Sequence, residues 1–190
     1  STPTATLLTQ AAKSHALPFG PMQTRALPYA VLTVAITAIA VTALPWFNLR
    51  NAGFDISWNG LGMASADADG LAPHGRGWLI VAACLIAVLA ALTALMPAPA
   101  AKPLARLLSA IAAVGAIAAA FVPIAVWIWP SWYFGYFESD LGFTPEDGLT
   151  VDKLILGILA AVLLLLAALS AALFVDRTED SIAKDAIATD

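Results

Sequence analysis

The sequence has few of the side chains that face water in a soluble protein. Only 12% of its 190 residues are charged, whereas soluble domains carry about 25%. In contrast, 61% of the residues are hydrophobic, and the mean hydropathy is +0.84. One folded core cannot remove so much apolar surface from water, so the composition indicates a protein that lies in a lipid bilayer.

Basic side chains are also scarce. The net charge is −4 and the isoelectric point is about 4.9. Nucleic-acid binding needs a basic surface against the phosphates. The composition therefore indicates membrane lipids around the chain and no nucleic-acid partner.

Residues that hold haem or metal ions are nearly absent. The chain has one cysteine, Cys84, and two histidines, His15 and His74, and none belongs to a known ligand motif. No acid, histidine or lysine lies in the middle of an apolar run, where proton carriers place them. We therefore expect no catalytic residue, no bound cofactor and no metal centre in this chain.

One acidic turn resembles the beginning of a calcium-binding loop. In "SADADGLAPHG", Asp67 and Asp69 precede Gly70. The pattern lacks a third oxygen ligand before the glycine and a glutamate near position 12. A solvated turn is the simpler interpretation, and a weak cation site stays open.

Four apolar runs make up most of the chain. They are residues 27–47, 77–96, 104–129 and 154–175. Each has about 20 residues or more, enough to cross a hydrocarbon core of roughly 30 Å at about 1.5 Å per residue. The period-2 alternation of a transmembrane barrel is missing. The predicted fold class is an all-α membrane protein with four transmembrane helices.

The basic residues predict how these helices are oriented. Six of the nine lie on the side that would hold both termini, and three lie on the other side. The positive-inside rule then places both termini in the cytoplasm and the protein in the cell membrane, as a multi-pass chain. The predicted parts are a polar cytoplasmic leader (1–26), a transmembrane domain (27–175) with outer loops 48–76 and 130–153, and an acidic cytoplasmic tail (176–190) that is weakly ordered without a partner.

The second outer loop begins with a dense aromatic cluster, "WPSWYFGYFESDLGF" at 129–143. Tryptophan and tyrosine favour the membrane–water interface, and Trp46 and Trp78 are predicted on the same side. An aromatic belt in the outer headgroup layer is the simplest interpretation. A patch that docks lipid or a partner protein is the alternative, and a quinone or haem pocket is a third. The candidate contact residues are Trp127, Trp129, Trp132, Tyr133, Phe134, Tyr136 and Phe137.

Small residues recur at four-residue spacing along three of the runs. This spacing lets helix backbones approach closely in a membrane, so we expect these residues to face the bundle. Pro123, inside the third run, predicts a bend of the kind seen in transporters and in structural bundles alike. The small residues are Ala83, Ala87 and Ala91, then Ala112, Ala116 and Ala120, and finally Gly157, Ala161, Ala167 and Ala171.

Two short motifs resemble a known family. "LPWF" at 44–47 precedes a glycine-rich loop, and "KPLAR" at 102–106 leads into an alanine-rich run. This arrangement resembles the actinobacterial tryptophan-operon-associated transmembrane proteins, which are four-helix proteins of about this length. One corynebacterial member is a small accessory subunit of the respiratory cytochrome bc–cytochrome oxidase supercomplex. The resemblance implies a role in electron transport in which haem and copper lie only in the partner subunits.

The predicted function is therefore a non-catalytic accessory subunit of a larger membrane complex, which contributes to assembly or stability through helix and outer-loop contacts. The alternative is a small homo-oligomeric membrane transporter or lipid-handling protein. Comigrating cytochromes would favour the first hypothesis, and solute flux through the isolated chain would favour the second.

Overall fold

The computed structural model describes residues 21–65, 75–98, 101–134 and 148–188. Four helices make up most of this part. They are α1 (Pro21–Thr42), α2 (Gly77–Leu95), α3 (Ala101–Ile128) and α5 (Lys153–Ala188), and a short helix α4 (Pro130–Phe134) follows α3. The protein is thus mostly helical, as predicted.

The four long helices form an antiparallel bundle. Helix α3 packs on α2 and α5, and α1 packs on the same two helices from the other side. Each helix therefore contacts the two that neighbour it around the bundle, which is an up-and-down arrangement. Only the connection between α2 and α3 is short, whereas those after α1 and α3 contain the two predicted outer loops.

Three of the described helical segments are long and apolar enough to cross a membrane: Gly77–Leu95, Ala101–Ile128 and Lys153–Thr178. Within the described residues, the apolar part of α1 is shorter, Ala26–Thr42. The prediction that the first helix continues to residue 47 is wrong. Proline lacks a backbone N–H and disfavours helical geometry in the residue before it, so the helix ends ahead of Pro45.

The small residues of α2 and α3 face the bundle as predicted. Ala87 and Ala116 are fully buried, and their neighbours one turn away on the same faces are at most 7% exposed. On α5 the prediction is wrong for Ala161 and Ala171, which are exposed. The buried face of α5 is instead a ridge of large side chains: Leu156, Leu159, Leu163, Leu166 and Leu173. Because α5 packs chiefly on α3, large side chains of one helix meet small ones of the other, and the pair fills space without needing small residues on both.

Helix α5 extends beyond the predicted span. It continues to Ala188, so residues 176–188 of the predicted weakly ordered tail are helical. These residues include no glycine or proline, which are the two residues that most disfavour a helix. Near the end of the apolar part, Arg177 Nη2 donates a hydrogen bond of 2.7 Å to the carbonyl oxygen of Ala94 and joins α5 to the last turn of α2.

A small antiparallel sheet lies at one end of the bundle, and the all-α prediction missed it. Its strands are β1 (Pro45–Asn48), β2 (Ser57–Asn59) and β3 (Thr150–Val151), in the order β2-β1-β3. Phe47 pairs with Trp58 on one side and with Val151 on the other. The sheet thus joins the two predicted outer loops through a central strand that was predicted to be helical. We call the described residues 43–65, 129–134 and 148–152 the cap.

Candidate functional site: the aromatic cap

Four aromatic side chains form the core of the cap. Trp46, Phe47, Trp58 and Tyr133 are all fully buried. The ring of Tyr133 stacks on Phe47 with 4.8 Å between centroids and an interplanar angle of 30°. It also lies tilted against Trp46, with centroids 5.8 Å apart. These contacts hold α4, which follows α3 directly, against the central strand of the sheet.

The hydroxyl of Tyr133 also joins α4 to a second strand of the sheet, β2. It donates a hydrogen bond to the carbonyl oxygen of Asn59, the last residue of β2. The Asn59 side chain organises the turn that follows, because its Oδ1 accepts hydrogen bonds of 3.0 Å from the backbone N–H groups of Leu61 and Met63. Burial raises the pKa of the Tyr133 phenol well above its usual range, so the group stays a neutral donor at physiological pH.

Two glycines let the cap approach the helix ends closely. The Gly60 N–H donates to the carbonyl oxygen of Thr42, the last residue of α1, at 3.0 Å. The Gly77 N–H, at the beginning of α2, donates to the carbonyl oxygen of Gly60 at 2.8 Å. A Cβ on Gly60 would lie 2.3 Å from the Trp46 ring, and one on Gly77 would lie 2.5 Å from the Gly60 carbonyl oxygen. Only glycine fits at either position. The two backbone hydrogen bonds at Gly60 join the end of α1 to the cap and the cap to the beginning of α2.

The cap also determines where α5 begins. The backbone N–H of Asp152 donates to the carbonyl oxygen of Trp46 at 2.8 Å. Its carboxylate Oδ1 accepts a hydrogen bond of 3.1 Å from the N–H of Ile155, so Asp152 is the N-cap of α5. A third contact, from Asn51 Nδ2 to Thr150 Oγ1 at 2.9 Å, joins the two loops at the edge of the sheet.

The structure divides the predicted aromatic contact residues into two groups. Tyr133 is buried by the chain itself, whereas Trp127, Trp129 and Trp132 are 43%, 64% and 39% exposed. The guanidinium of Arg76, just before α2, lies 4.9 Å from the centroid of the Trp132 ring. The side chain of Phe134 and the residues Tyr136 and Phe137 lie outside the described part of the chain, as do Asp67, Asp69 and His74.

The tryptophans at this end also differ from one another. Trp78 is 60% exposed, in agreement with a place in an aromatic belt. The prediction that Trp46 faces the headgroup layer is wrong, because β1 turns its ring inward over Gly60. Its indole therefore contributes to the packing of the cap and does not contact lipid.

Several residues that build the cap were missed in the sequence, although each carries a recognisable signal. Asn59-Gly60 is a typical turn dipeptide. Asp152, directly before an apolar run, has the position and side chain of a helix N-cap. Neither signal indicates that the two loops pair with each other, which is the feature that makes the cap one unit.

The chain matches no protein-family model, no curated protein and no solved structure.

Proposed function

We propose that this chain is a non-catalytic accessory subunit of a larger membrane complex, and that the complex is the respiratory cytochrome bc–cytochrome oxidase supercomplex. In this proposal the chain contributes to assembly or stability, and haem and copper belong to the partner subunits. All four long helices cross the cell membrane, both termini are cytoplasmic, and the cap faces outward. The observation that carries the proposal is that the cap holds Trp129 and Trp132 in place while leaving their rings exposed.

A docking surface benefits from side chains that are already in position before the partner binds. Tyr133 is fixed by ring contacts on two sides and by the hydrogen bond to Asn59. Trp132 is its direct neighbour in the chain, and Trp129 lies one turn earlier. The backbone of both residues is therefore held in place by the contacts of Tyr133. Large rings that are held in this way lose little conformational freedom on binding, and tryptophan is among the residues that most often dominate an interface.

The rest of the described structure supports a role in binding more than one in chemistry. The cap consists of ring contacts, backbone hydrogen bonds and a helix cap, all of which position the loops. The described part of the cap contains one ion pair, between Arg50 Nε and Asp55 Oδ1 at 3.2 Å. Both side chains are exposed, and both residues belong to the same loop. We therefore propose that the cap holds Trp129 and Trp132 in position for a partner protein.

The test is a pull-down from membranes in mild detergent with optical spectra of the bound cytochromes. We expect the double variant Trp129→Ala/Trp132→Ala to lose most of the cytochrome signal, about 30-fold or more for two central anchors. The matched control is Trp78→Ala, which removes a tryptophan that is exposed about as much as Trp129, from the same end of the bundle. Membrane insertion and thermal stability of all three proteins are measured alongside.

A second comparison distinguishes aromatic docking from charge-driven docking. Trp132→Ala/Phe137→Ala should release the chain, whereas Glu146→Gln/Asp147→Asn should have little effect, since exposed charged pairs contribute only about 0–1 kcal/mol. The opposite ranking would contradict the proposal and indicate a basic partner surface. A wild-type chain that purifies without any cytochrome would rule out the respiratory complex as partner.

A further inference from the structure

A groove runs along the outer surface of the bundle where the end of α3 meets the beginning of α5. Its volume is about 440 Å³, and it is lined by Trp127, Lys153, Leu154, Gly157, Ile158 and Ala161. Volumes of roughly 300–1,000 Å³ are typical of sites for small molecules. The groove lies on the side of both helices that faces away from the bundle core, beside the cap.

The groove exists because α5 has small residues where its neighbours on the same surface are large. Lys153, Gly157 and Ala161 follow one another at four-residue spacing and therefore share one face of α5. A Cβ on Gly157 would lie 3.4 Å from the Trp127 ring, so the indole packs directly against the α5 backbone and closes the groove on one side. Leu154 and Ile158, 73% and 46% exposed, form the opposite wall.

The single charge on the groove is Lys153 at its cap end. A lysine is unusual at the first position of α5. Cations are unfavourable at the positive end of a helix dipole, and basic residues are depleted on the outer side of a membrane. Within the described residues Lys153 forms no ion pair, and the adjacent carboxylate of Asp152 is engaged with the N–H of Ile155. The exposed ammonium group of Lys153 is therefore the group that attracts a negative ligand at this end of the groove.

The dimensions of the groove favour a chain-like ligand. From Lys153 to Ala161 the helix rises by about 12 Å at 1.5 Å per residue. A single hydrocarbon chain can lie along this length, between the Trp127 ring and the side chains of Leu154 and Ile158.

We propose that this groove binds one anionic phospholipid. The phosphate lies at Lys153, at headgroup depth, and one acyl chain lies along Gly157 and Ala161 against the Trp127 ring. The site is independent of the accessory role proposed above, because it needs no partner protein. It would hold a lipid on the surface of the isolated chain.

The proposal is tested by native mass spectrometry of the full chain, delipidated in detergent and mixed with equal amounts of phosphatidylglycerol and phosphatidylcholine. The wild type should retain one phosphatidylglycerol in preference. Lys153→Gln should lower that preference about fivefold, the effect of one basic residue beside an anionic surface, and leave phosphatidylcholine retention unchanged. Ala161→Leu should reduce the retention of both lipids by filling the groove.

The matched control is Ala171→Leu, the same substitution at an exposed position of α5 that does not line the groove. Equal retention of the two lipids by the wild type, or equal effects of Ala161→Leu and Ala171→Leu, would overturn the proposal. Retention of neither lipid would also overturn it and leave the groove to a protein segment. The thermal unfolding of every variant is measured in the same detergent, so that misfolding is not mistaken for loss of the site.

Discussion

At the scale of single residues, Tyr133 connects α4 to two strands of the cap. Its ring contacts two residues of the central strand, and its hydroxyl reaches the neighbouring strand. Tyr133→Phe keeps the ring contacts and removes only the hydroxyl. The Asn59 carbonyl oxygen still accepts a hydrogen bond from Gly62, at 3.1 Å, so it is not left unpaired. We expect a loss of about 0.5–1.5 kcal/mol in the free energy of unfolding, the net contribution of one hydrogen bond.

The measurement is thermal unfolding in detergent, with Tyr29→Phe as the control because Tyr29 is 60% exposed. Equal stability of the two variants would show that the Tyr133 hydroxyl contributes nothing to the folded state.

The same phenol gives the cap a dependence on alkaline pH. Burial raises the pKa of Tyr133 in the folded protein, whereas a tyrosine in the unfolded chain titrates near about 10. The stabilising effect of the neutral phenol is therefore complete below pH about 10, and it is lost as the pH rises further, because the unfolded chain releases the proton first. We expect the unfolding temperature of the wild type to fall more steeply above this pH than that of Tyr133→Phe. Parallel curves would contradict the assignment of Tyr133 as a buried neutral donor.

At the scale of helices and strands, the alanine face of α3 makes a sharp prediction. Ala116 is fully buried, whereas Ala118 on the same helix is exposed. Ala116→Leu should lower the free energy of unfolding by about 1–3 kcal/mol, because a larger side chain forces the helices apart in a closely packed interface. Ala118→Leu, the identical substitution on the lipid-facing side, should leave it nearly unchanged. Thermal unfolding of both variants in detergent distinguishes the two positions, and equal stability would mean that α3 is rotated relative to this packing.

The helices could be predicted from the sequence, because their signal is local and long. Runs of about 20 apolar residues indicate a spanning helix wherever they occur, and the alanine spacing on α2 and α3 identified the packed face. On α5 the same reasoning failed, since Ala161 and Ala171 carry the same local pattern as Ala116 but lie on the exposed side of the helix. Which face of a helix is buried depends on its partners, and one segment does not contain that information.

The sheet could not be predicted for a different reason. Strands of two to four residues are too short for an alternating pattern, and β1 lies in a stretch apolar enough to continue a helix. The decisive contacts join residues that are far apart in the chain, such as Asn51 with Thr150, and Tyr133 with Asn59. The aromatic cluster was recognised as important, but the separation of buried Tyr133 from exposed Trp132 follows only from these distant contacts.

At the scale of the whole molecule, the two ends of the bundle differ in character. The cap end has aromatic rings, short strands and backbone contacts through glycine. The opposite end holds arginines on the helices themselves, with Arg177 bonded to the last turn of α2 and Arg106 5.3 Å from the centroid of the Phe174 ring. In the orientation that we propose, the end with Arg106 and Arg177 lies in the cytoplasm and the cap faces outward.

The orientation gives the last prediction, which cysteine labelling can test. Cys84 is the only cysteine and is buried, so Cys84→Ala gives a background without thiols. Met63→Cys places a thiol on the exposed surface of the cap, and Ala98→Cys places one at the exposed turn between α2 and α3. Because the topology predicted from the sequence puts six of the nine basic residues on the side that holds Ala98, a thiol reagent that cannot cross the membrane should modify Met63→Cys in intact cells. Ala98→Cys should react only after the membrane is opened, and each variant serves as the control for the other. Labelling of Ala98→Cys in intact cells, with protection of Met63→Cys, would place the cap in the cytoplasm, and the exposed tryptophans would then have to meet their partner there.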